Sequence, residues 1–397
     1  MKILFVVPYV PNLIRVRPYN IIRSLTALGH SVTVLTLWVN DEDRSDIASL
    51  EQICDEVLAL KMPTWKSALR CLVGYFSGGP LQSYYSWEPK LIDLAGDVNR
   101  FDLVHVEHLR GSRYGLYFLT NTDVPIVWDS VDCISHLFEQ AVDQSKSLFG
   151  SLITKLDLKR TQRYEGWLIN QFQTILVTSS SDKAALLTLS KNETDTPNIT
   201  VLPNGVNLEY FKPNKDVKRD TSTLVVTGKM NYHANVTMVL NLVEKIMPKV
   251  WAKVPDTTLY VVGKDPSPEI VEAGKKPNVV VTGTVDDMRP YLHKATVAVA
   301  PVVYGAGIQN KVLEAMACGA PVITTPQSAR AISAIPDEEF CIADIPDEFA
   351  TKTVELIDNP DVADRIGEAG HQFLLRNHDW MAITTRLEEI YDGIVGN

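Results

Sequence analysis

Residues 301–322, PVVYGAGIQNKVLEAMACGAPV, decide the fold of this chain. An apolar strand over 297–303 leads into a glycine turn, a helix begins near Ile308 and ends at Gly319, and a second apolar strand follows over 321–325. Glycines let a backbone approach a ligand closely, and the first turn of a helix offers unpaired N–H groups to an anion. The stretch predicts an α/β unit with an anion site where the helix begins. An ordinary strand–loop–helix connection is the alternative.

The helix in this stretch carries two charged residues. Lys311 lies in its first turn and could meet a phosphate. Glu314 lies further along, where a carboxylate could accept hydrogen bonds from a pair of ribose hydroxyls. The alternative is that both are ordinary surface side chains.

The same residues resemble a known family. The run GIQNKVLEAMACGAPVI at 307–323 is similar to the glutamate-bearing helix of glycosyltransferase family 4, which has the form L-E-A-M-A-x-G-x-P-V-I. RPYNIIRSL at 17–25, LPNGVNLEYF at 202–211 and GTVDDMRPYL at 283–292 also resemble segments of these enzymes. The resemblance implies the GT-B fold: an α/β protein of two Rossmann-like domains with a nucleotide sugar in the cleft between them. It also implies a C-terminal helix that crosses back to the N-terminal domain.

Two positions depart from the family pattern. The family usually has two glutamates eight positions apart, and the first of them falls at Ala306. A lysine is often found where this chain has Asn235. The transferred sugar therefore loses one expected carboxylate contact, or a neighbouring backbone N–H replaces it.

Apolar runs alternate with helical patterns along the chain, which is typical of parallel sheets covered by helices. The strands predicted in this way are 3–7, 32–37, 57–60, 103–106, 126–128, 175–178, 199–202, 223–227, 258–262, 279–282, 297–303 and 321–325.

The chain of 397 residues suits two domains. The polar stretch 207–221 is the predicted linker. We expect an N-terminal domain over 1–205, a nucleotide-sugar domain over 206–375, and a C-terminal helix over 376–397 that packs on the first domain.

Composition narrows the functional class. The net charge of −10 argues against nucleic-acid binding, and no apolar run is long enough for a membrane helix. The apolar start of the chain, Met1 to Val10, is better explained as a buried strand than as a signal peptide. The five cysteines are scattered without metal-ligand spacing, which favours reduced thiols, a cytoplasmic location and no metal site.

The resemblance implies a set of donor-binding residues in the second domain. Lys229 and Lys311 would stabilise the charge that develops on the diphosphate. The other residues expected to touch the nucleotide sugar are Gly228, Gly305, Ala306, Gly307, Ile308, Val312, Glu314 and, from the first β–α loop, Asn12. A solvated surface amine is the alternative for each lysine.

Candidates in the first domain follow predicted strands. Glu107 and His108 come after the strand at 103–106, and ligands of open α/β sheets bind beyond the carboxyl ends of strands. By resemblance, His108 would contact the transferred hexose. Arg15, Glu107 and Asp129 are the acceptor-side candidates, whereas Asp132 is expected to cap a helix.

Two further segments leave alternatives open. Residues 61–90 mix basic and aromatic side chains, as a segment that touches a membrane surface or a lipid-linked acceptor would. A helical lid packed on its own domain explains the same residues and is the favoured alternative. We expect the helix that carries Arg160 and Glu165 to present these side chains to solvent.

The resemblance implies a retaining, metal-independent glycosyltransferase without a cofactor. It would move a hexose-type sugar from a nucleoside-diphosphate sugar, with UDP- or GDP-sugars expected, to a sugar, lipid-linked or small-molecule hydroxyl. Assembly of a surface glycan or exopolysaccharide fits the family. A nucleotide-sugar epimerase and a non-catalytic nucleotide-sugar-binding subunit on the same fold remain alternatives.

Overall fold

The computed structural model describes residues 1–144, 148–190, 197–304 and 308–396, and describes no side chains between 140 and 156. The chain forms two compact units. The first contains Met1–Asn204 together with Trp380–Asn397, and the second contains Gly205–Asp379. These divisions fall one and four residues from the ends expected for the first two domains.

The first unit is built on a seven-stranded parallel sheet in the order β3-β2-β1-β4-β5-β6-β7. Its strands are β1 (Lys2–Val7), β2 (Ser31–Trp38), β3 (Glu56–Lys61), β4 (Leu103–Glu107), β5 (Ile126–Val131), β6 (Thr174–Val177) and β7 (Ile199–Val201). Helices cover both faces of this sheet, so its central strands are apolar at successive positions rather than alternating.

The helices of the first unit lie between its strands along the chain, with one or more helices in most connections. They are α1 (Val16–Ala27), α2 (Asp41–Leu50), α3 (Thr64–Ser77), α4 (Leu81–Tyr85), α5 (Lys90–Ala95), a 3₁₀ turn (Val98–Arg100), α6 (His108–Asn121), α7 (Ile134–Gln144), α8 (Leu148–Leu168) and α9 (Ser180–Leu189).

The second unit repeats the design with six parallel strands in the order β10-β9-β8-β11-β12-β13. The strands are β8 (Thr223–Thr227), β9 (Thr258–Val262), β10 (Val279–Gly283), β11 (Val297–Ala300), β12 (Val322–Thr324) and β13 (Cys341–Ile342). Its helices are α10 (His233–Asn241), a π turn (Leu242–Ile246), α11 (Met247–Trp251), α12 (Pro268–Ala273), α13 (Arg289–Lys294), α14 (Asn310–Ala317), α15 (Pro326–Ala329), α16 (Pro346–Asp358) and α17 (Pro360–Asn377).

The last helix, α18 (Trp380–Val395), belongs to the first unit. Its apolar face, with Trp380, Leu387 and Tyr391 buried, packs into the core that also contains Ile3 and Ile21. The predicted return of the C-terminal helix to the N-terminal domain is confirmed.

Every predicted strand is present, but two details differ. The strand expected over 297–303 ends at Ala300, and the short edge strand β13 was not predicted. The expected linker belongs to the second unit, because Arg219 donates to the carbonyls of Leu292, Ala295 and Gly319 and so ties it to two helix ends.

Among the described helices, none combines the length and the apolar character needed to cross a membrane. Within the described residues, no group of three or more histidine, cysteine, aspartate or glutamate side chains is arranged to hold a metal ion.

Candidate active site

Both sheets reverse their strand order at one point, and the candidate residues lie there. In the second unit β8 continues to β9 on one side, while β11 on its other side continues to β12. In the first unit the same reversal separates β1 from β4. Ligands of open α/β sheets bind at the carboxyl ends of strands beside such a reversal. A ligand site is therefore expected at the loops after β8 and β11 in the second unit, and at those after β1 and β4 in the first.

The loop after β8 is shaped by glycines. Gly228 has a φ of +153°, and a side chain there would clash with the amide of Asn235. A side chain at Gly263, after β9, would run into the carbonyl of Gly228. Asn235 donates from Nδ2 to the carbonyl of Lys229 at 2.9 Å, so the residue that replaces the family's lysine holds this turn in shape. The Lys229 side chain is exposed beyond it.

Helix α14, after β11, carries Lys311 and Glu314 one turn apart. Burial raises the pKa of the Glu314 carboxyl to about 7, against the opposing attraction of Lys311. Burial also lowers the pKa of the Lys311 amine to about 8, and Glu314 partly offsets this. Lys311 donates to Oε1 of Gln309 at 3.1 Å, whereas no described residue donates a hydrogen bond to the Glu314 side chain. A ligand that carries charge or hydroxyl groups can therefore change the protonation of both side chains.

A histidine–tyrosine contact joins the two loops of the second unit. Nδ1 of His233, in the first turn of α10, lies 2.7 Å from the hydroxyl of Tyr304, and the rings stack 5.4 Å apart. Tyr304 immediately precedes the glycine-rich stretch that leads to α14. The contact therefore fixes Tyr304 against the first turn of α10, which follows the β8 loop.

The structure describes only some of the other residues predicted to bind the nucleotide sugar. Gly305, Ala306 and Gly307 lie outside the described residues. Ile308 is 7% exposed, and Val312 is fully buried in the core of the second unit. The prediction that the Val312 side chain contacts a nucleotide sugar is wrong, because the helical turn that leaves Lys311 accessible directs Val312 into the core.

His108, the first residue of α6 after β4, has a φ of +66°, a left-handed conformation that is uncommon for a residue other than glycine. Burial lowers its pKa to about 3, so the imidazole is neutral. Its Nδ1 accepts the backbone N–H of Arg110 at 3.2 Å. A neutral ring that accepts at Nδ1 carries its proton on Nε2. His108 thus offers one N–H donor at the end of β4.

Glu107 is 2% exposed and lies beside His108. The hydroxyl of Tyr9 donates to its Oε1 at 3.0 Å, while Oε2 is buried without a hydrogen-bond partner among the described residues. Burial, reinforced by the charge of Asp129, raises the pKa of Glu107 to about 8. The carboxyl is therefore protonated at neutral pH.

Asp129 is not available to an acceptor. It is fully buried at the end of β5, where one oxygen accepts from Nε and Nη2 of Arg17 and the other accepts the backbone N–H of Val131. The acceptor-side prediction for Asp129 is wrong, because both oxygens are used within the unit.

The first β–α loop is held by its own contacts. Oδ1 of Asn12 accepts the backbone N–H groups of Ile14 and Arg15, and its Nδ2 donates to Asp46 at 2.7 Å. The Asn12 side chain thus shapes the turn, and donor binding by this residue stays a prediction. Arg15 is exposed, with its guanidinium 3.5 Å from Asp43 and 5.0 Å from the centre of the Tyr9 ring. It remains accessible to an anion.

Arg110 was missed by the sequence reasoning. It lies in the first turn of α6, donates from Nε to Gln82 at 2.7 Å, and stacks 4.9 Å from the centre of the Tyr85 ring. Burial lowers the pKa of this guanidinium, and the described residues form no ion pair with it. The signal was a basic residue two positions after His108, in a helix that follows a central strand.

A large cavity of the second unit lies away from these loops. It has a volume of about 710 Å³ and is lined by Arg219, Asp220, Thr296 and Gly319, among others. Asp220 and Thr296 precede β8 and β11, so this cavity is at the amino-terminal edge of the sheet, opposite the candidate site. Arg219 already donates to several carbonyls there, so its guanidinium has a structural role in this cavity.

Two family models together match most of the chain. Residues 15–210 match the model described as Glycosyltransferase Family 4, and residues 221–359 match the model described as Glycosyl transferases group 1. The chain belongs to glycosyltransferase family 4. The two models meet near the division between the two units.

Relatives with known names are distant in sequence, and their names describe sugar-transferring enzymes. A GDP-mannose-dependent alpha-(1-6)-phosphatidylinositol monomannoside mannosyltransferase of Mycolicibacterium smegmatis is 26% identical over 48% of this family 4 chain and 56% of its own length. The chain thus spans little more than half of that relative. A glycogen synthase of Mycobacterium tuberculosis is 22% identical over 94% of this chain and 89% of its own length.

Solved structures match the family 4 chain over its whole length. A sucrose-phosphate synthase from Thermosynechococcus elongatus aligns over 100% of this chain and 99% of its own, with a TM-score of 0.74 and 17% identity. Anabaena Alr3699/HepE in complex with UDP aligns over 99% and 100%, with a TM-score of 0.70 and 15% identity. These likenesses establish the GT-B fold, with two parallel-sheet Rossmann-like domains.

Proposed function

We propose that this glycosyltransferase moves a hexose-type sugar from a UDP- or GDP-linked donor to a hydroxyl acceptor, with retention of the anomeric configuration. The observation that carries the donor assignment is the Lys311–Glu314 pair on α14. It follows β11 at the strand-order reversal, and both side chains are half-buried. A diphosphate would keep Lys311 charged, and ribose hydroxyls would satisfy Glu314.

Departure of the nucleoside diphosphate leaves negative charge on its phosphate oxygens. Preorganised cations and N–H donors aimed at that position lower the barrier. Lys229, exposed on the loop after β8, and Lys311, on α14, are the side chains assigned to this role. Because two amines supply the positive charge, the proposal includes no metal ion.

Retention is proposed from the resemblance to the family, and the state of the carboxyls bears on the route by which it would occur. A covalent glycosyl intermediate needs an ionised carboxylate at the anomeric carbon. Glu107 is protonated at neutral pH, and Asp129 is bound by Arg17. We therefore propose same-face attack: the acceptor oxygen bonds to the anomeric carbon as the bond to phosphate breaks, and the acceptor proton passes to the departing phosphate oxygen. His108 is assigned to the hexose as a neutral N–H donor.

The acceptor classes we propose are sugar, lipid-linked and small-molecule hydroxyls, in assembly of a surface glycan. The mannosyltransferase relative is named for a phosphatidylinositol mannoside, which supports a lipid-linked acceptor. We also propose that the protein is cytoplasmic and that residues 61–90 make peripheral contact with the membrane.

A thermal-shift screen against UDP-, GDP-, ADP- and dTDP-sugars tests the donor, because a ligand that binds only the folded state raises the melting temperature. We expect a UDP- or GDP-sugar to give the largest shift. With that donor, NMR of the product should show the donor's anomeric configuration. An inverted anomer overturns retention, an isomerised free donor identifies an epimerase, and binding without release of nucleoside diphosphate from any acceptor identifies a non-catalytic subunit.

A further inference from the structure

Helix α3 has its apolar face on the outside. Five large side chains recur at helical spacing along one stripe, which we call the α3 stripe, and each is at least half exposed: Trp65, Leu69, Leu72, Val73 and Phe76. Phe76 is 79% exposed and Trp65 is 66% exposed. In a helix that covers a core, an apolar stripe normally faces inward.

The opposite face of α3 explains how the helix is attached. Ser67 and Gly74 are the buried residues of α3, and a side chain at Gly74 would clash with the ring of Tyr84. Tyr84 in turn accepts a hydrogen bond from Ser77 and supports the guanidinium of Arg113 at 4.0 Å. Small residues thus let α3 lie flat on α4, so the exposed stripe does not arise from loose packing of the helix.

The flanks of the α3 stripe are basic. On one flank Lys66 and Arg70 both pair with the single carboxylate of Glu88, and α3 itself contains no acidic residue. On the other flank Arg160 lies over the ring of Tyr75, 4.4 Å from its centre. Asp157 lies close to Arg160 and partly offsets its charge. Three basic groups thus stand against the two carboxylates of Glu88 and Asp157, so the flanks keep a net positive charge in a chain whose overall charge is −10.

We propose that the α3 stripe inserts into the interfacial region of an anionic lipid bilayer, an inference that rests on the membrane contact of residues 61–90 in the proposed function. Apolar and aromatic side chains of an interfacial helix enter the boundary between headgroups and acyl chains, while flanking basic groups attract acidic headgroups. Trp65 and Tyr75 lie towards opposite ends of the helix, and amphipathic rings of this kind favour the headgroup level.

A second copy of the chain fits this surface less well. One helix of fourteen residues is about 21 Å long. A stripe of that length offers an apolar patch of a few hundred Å², below the ~800 Å² per partner of a standard interface. Pairing two such stripes would also bring basic flank against basic flank. A bilayer has no area threshold of this kind and supplies the opposite charge.

Flotation with lipid vesicles tests the proposal on the full chain. We expect the wild type to float with vesicles of phosphatidylcholine and phosphatidylglycerol, and to float at least about tenfold less with phosphatidylcholine alone, since basic flanks are attracted to anionic surfaces. The W65S/L69S/F76S variant should lose most of its flotation on the anionic vesicles. A V271S/V280S/I335S variant, which removes three exposed apolar side chains of the second unit, should float as the wild type does.

Folding and donor binding are checked on the same samples. The stripe variant should keep the wild-type melting temperature, because the three substituted side chains are exposed. It should also keep the shift with nucleotide sugar, because the α3 stripe takes no part in the transfer reaction. Absence of wild-type flotation, or equal flotation of the stripe variant, overturns the proposal. A wild-type dimer that the stripe variant abolishes would assign the stripe to a second copy and overturn it as well. If nucleotide sugar does not raise the melting temperature of the wild type, that result would instead count against the proposed function.

Discussion

Arg17 donates from Nε and Nη2 to the same carboxylate oxygen of Asp129, at 2.9 and 2.7 Å, and both side chains are almost completely buried. The remaining guanidinium nitrogen, Nη1, donates to the carbonyl of Leu202 and to Oδ1 of Asn204. One arginine at the start of α1 therefore fixes the end of β5 and the last residues of the N-terminal segment of the first unit. The pair is structural, and it removes Asp129 from the reacting groups.

Replacing Asp129 with Ala should destabilise the first unit severely. Removal of one partner leaves the Arg17 guanidinium buried without its counter-charge, which costs about 3–5 kcal/mol. Urea unfolding followed by circular dichroism measures the loss. Arg15→Ala is the matched control, because its exposed ion pair with Asp43 should contribute no more than about 1 kcal/mol. Equal stability of the D129A variant and the wild type would contradict the structural assignment.

Replacing Glu314 with Gln should weaken binding of the nucleotide sugar while leaving the fold intact. Loss of a charged hydrogen bond to the ribose costs about 1.5–3 kcal/mol, or roughly 10- to 150-fold in Kd. Isothermal titration with the best donor from the thermal-shift screen measures the change. Glu338→Gln, at an exposed position of the same unit, is the control. If E314Q binds the donor as tightly as the control does, Glu314 does not hold the ribose.

The fold could be predicted largely from sequence because parallel strands covered on both faces are continuous apolar runs. Strands such as β1 and β8 contain five or more consecutive apolar or threonine residues and are easily recognised. Strand β13 has only two residues, Cys341 and Ile342, and gains its strand conformation from pairing with β12. Tertiary pairing of this kind leaves no periodic pattern in the sequence.

The site was predicted less completely, since partners distant in sequence cannot be read from local patterns. Asp129 looked available, yet its cation lies 112 positions earlier in the chain. Asp132 was expected to cap a helix, but the backbone N–H groups of Ile134 and Ser135 at the start of α7 donate to the side chain of Glu165. Glu165 was assigned to a solvated face and is fully buried.

Lys311 should control the pH at which the donor binds. An ionised Glu314 is the better acceptor for ribose hydroxyls, so donor affinity should rise with pH through about 7. Lys311 lowers the pKa of Glu314 by its charge, and Lys311→Met should therefore move this midpoint to higher pH. Titrations of donor between pH 5.5 and 8.5 measure the midpoint.

Lys311→Met should also slow turnover, since the diphosphate loses a cation, whereas Lys229→Met should slow turnover and leave the midpoint in place. This contrast separates the two lysines. A midpoint that does not move in K311M would show that the amine does not act on Glu314. Wild-type turnover in both variants would remove them from the diphosphate site.

Glu107 should make the stability of the first unit fall as pH rises. Its folded-state pKa is raised to about 8, above the ordinary value of 4.5, so the folded state retains a proton that the unfolded state loses. Between about pH 4.5 and 8 this group therefore lowers the free energy of unfolding by up to about 1.4 kcal/mol per pH unit. Its stabilising contribution is fully present below pH 4.5 and is lost as pH rises through 8.

Glu107→Gln removes this proton and should flatten the pH dependence, because an amide keeps a donor at the same position without titrating. Urea midpoints at pH 5.5, 6.5 and 7.5 for both proteins give the difference, in which the other titrating groups cancel. E338Q serves as the control, since an exposed glutamate should leave the wild-type slope unchanged. Parallel curves for E107Q and the wild type would mean that Glu107 is ionised in the folded protein, and a carboxylate nucleophile would then have to be reconsidered.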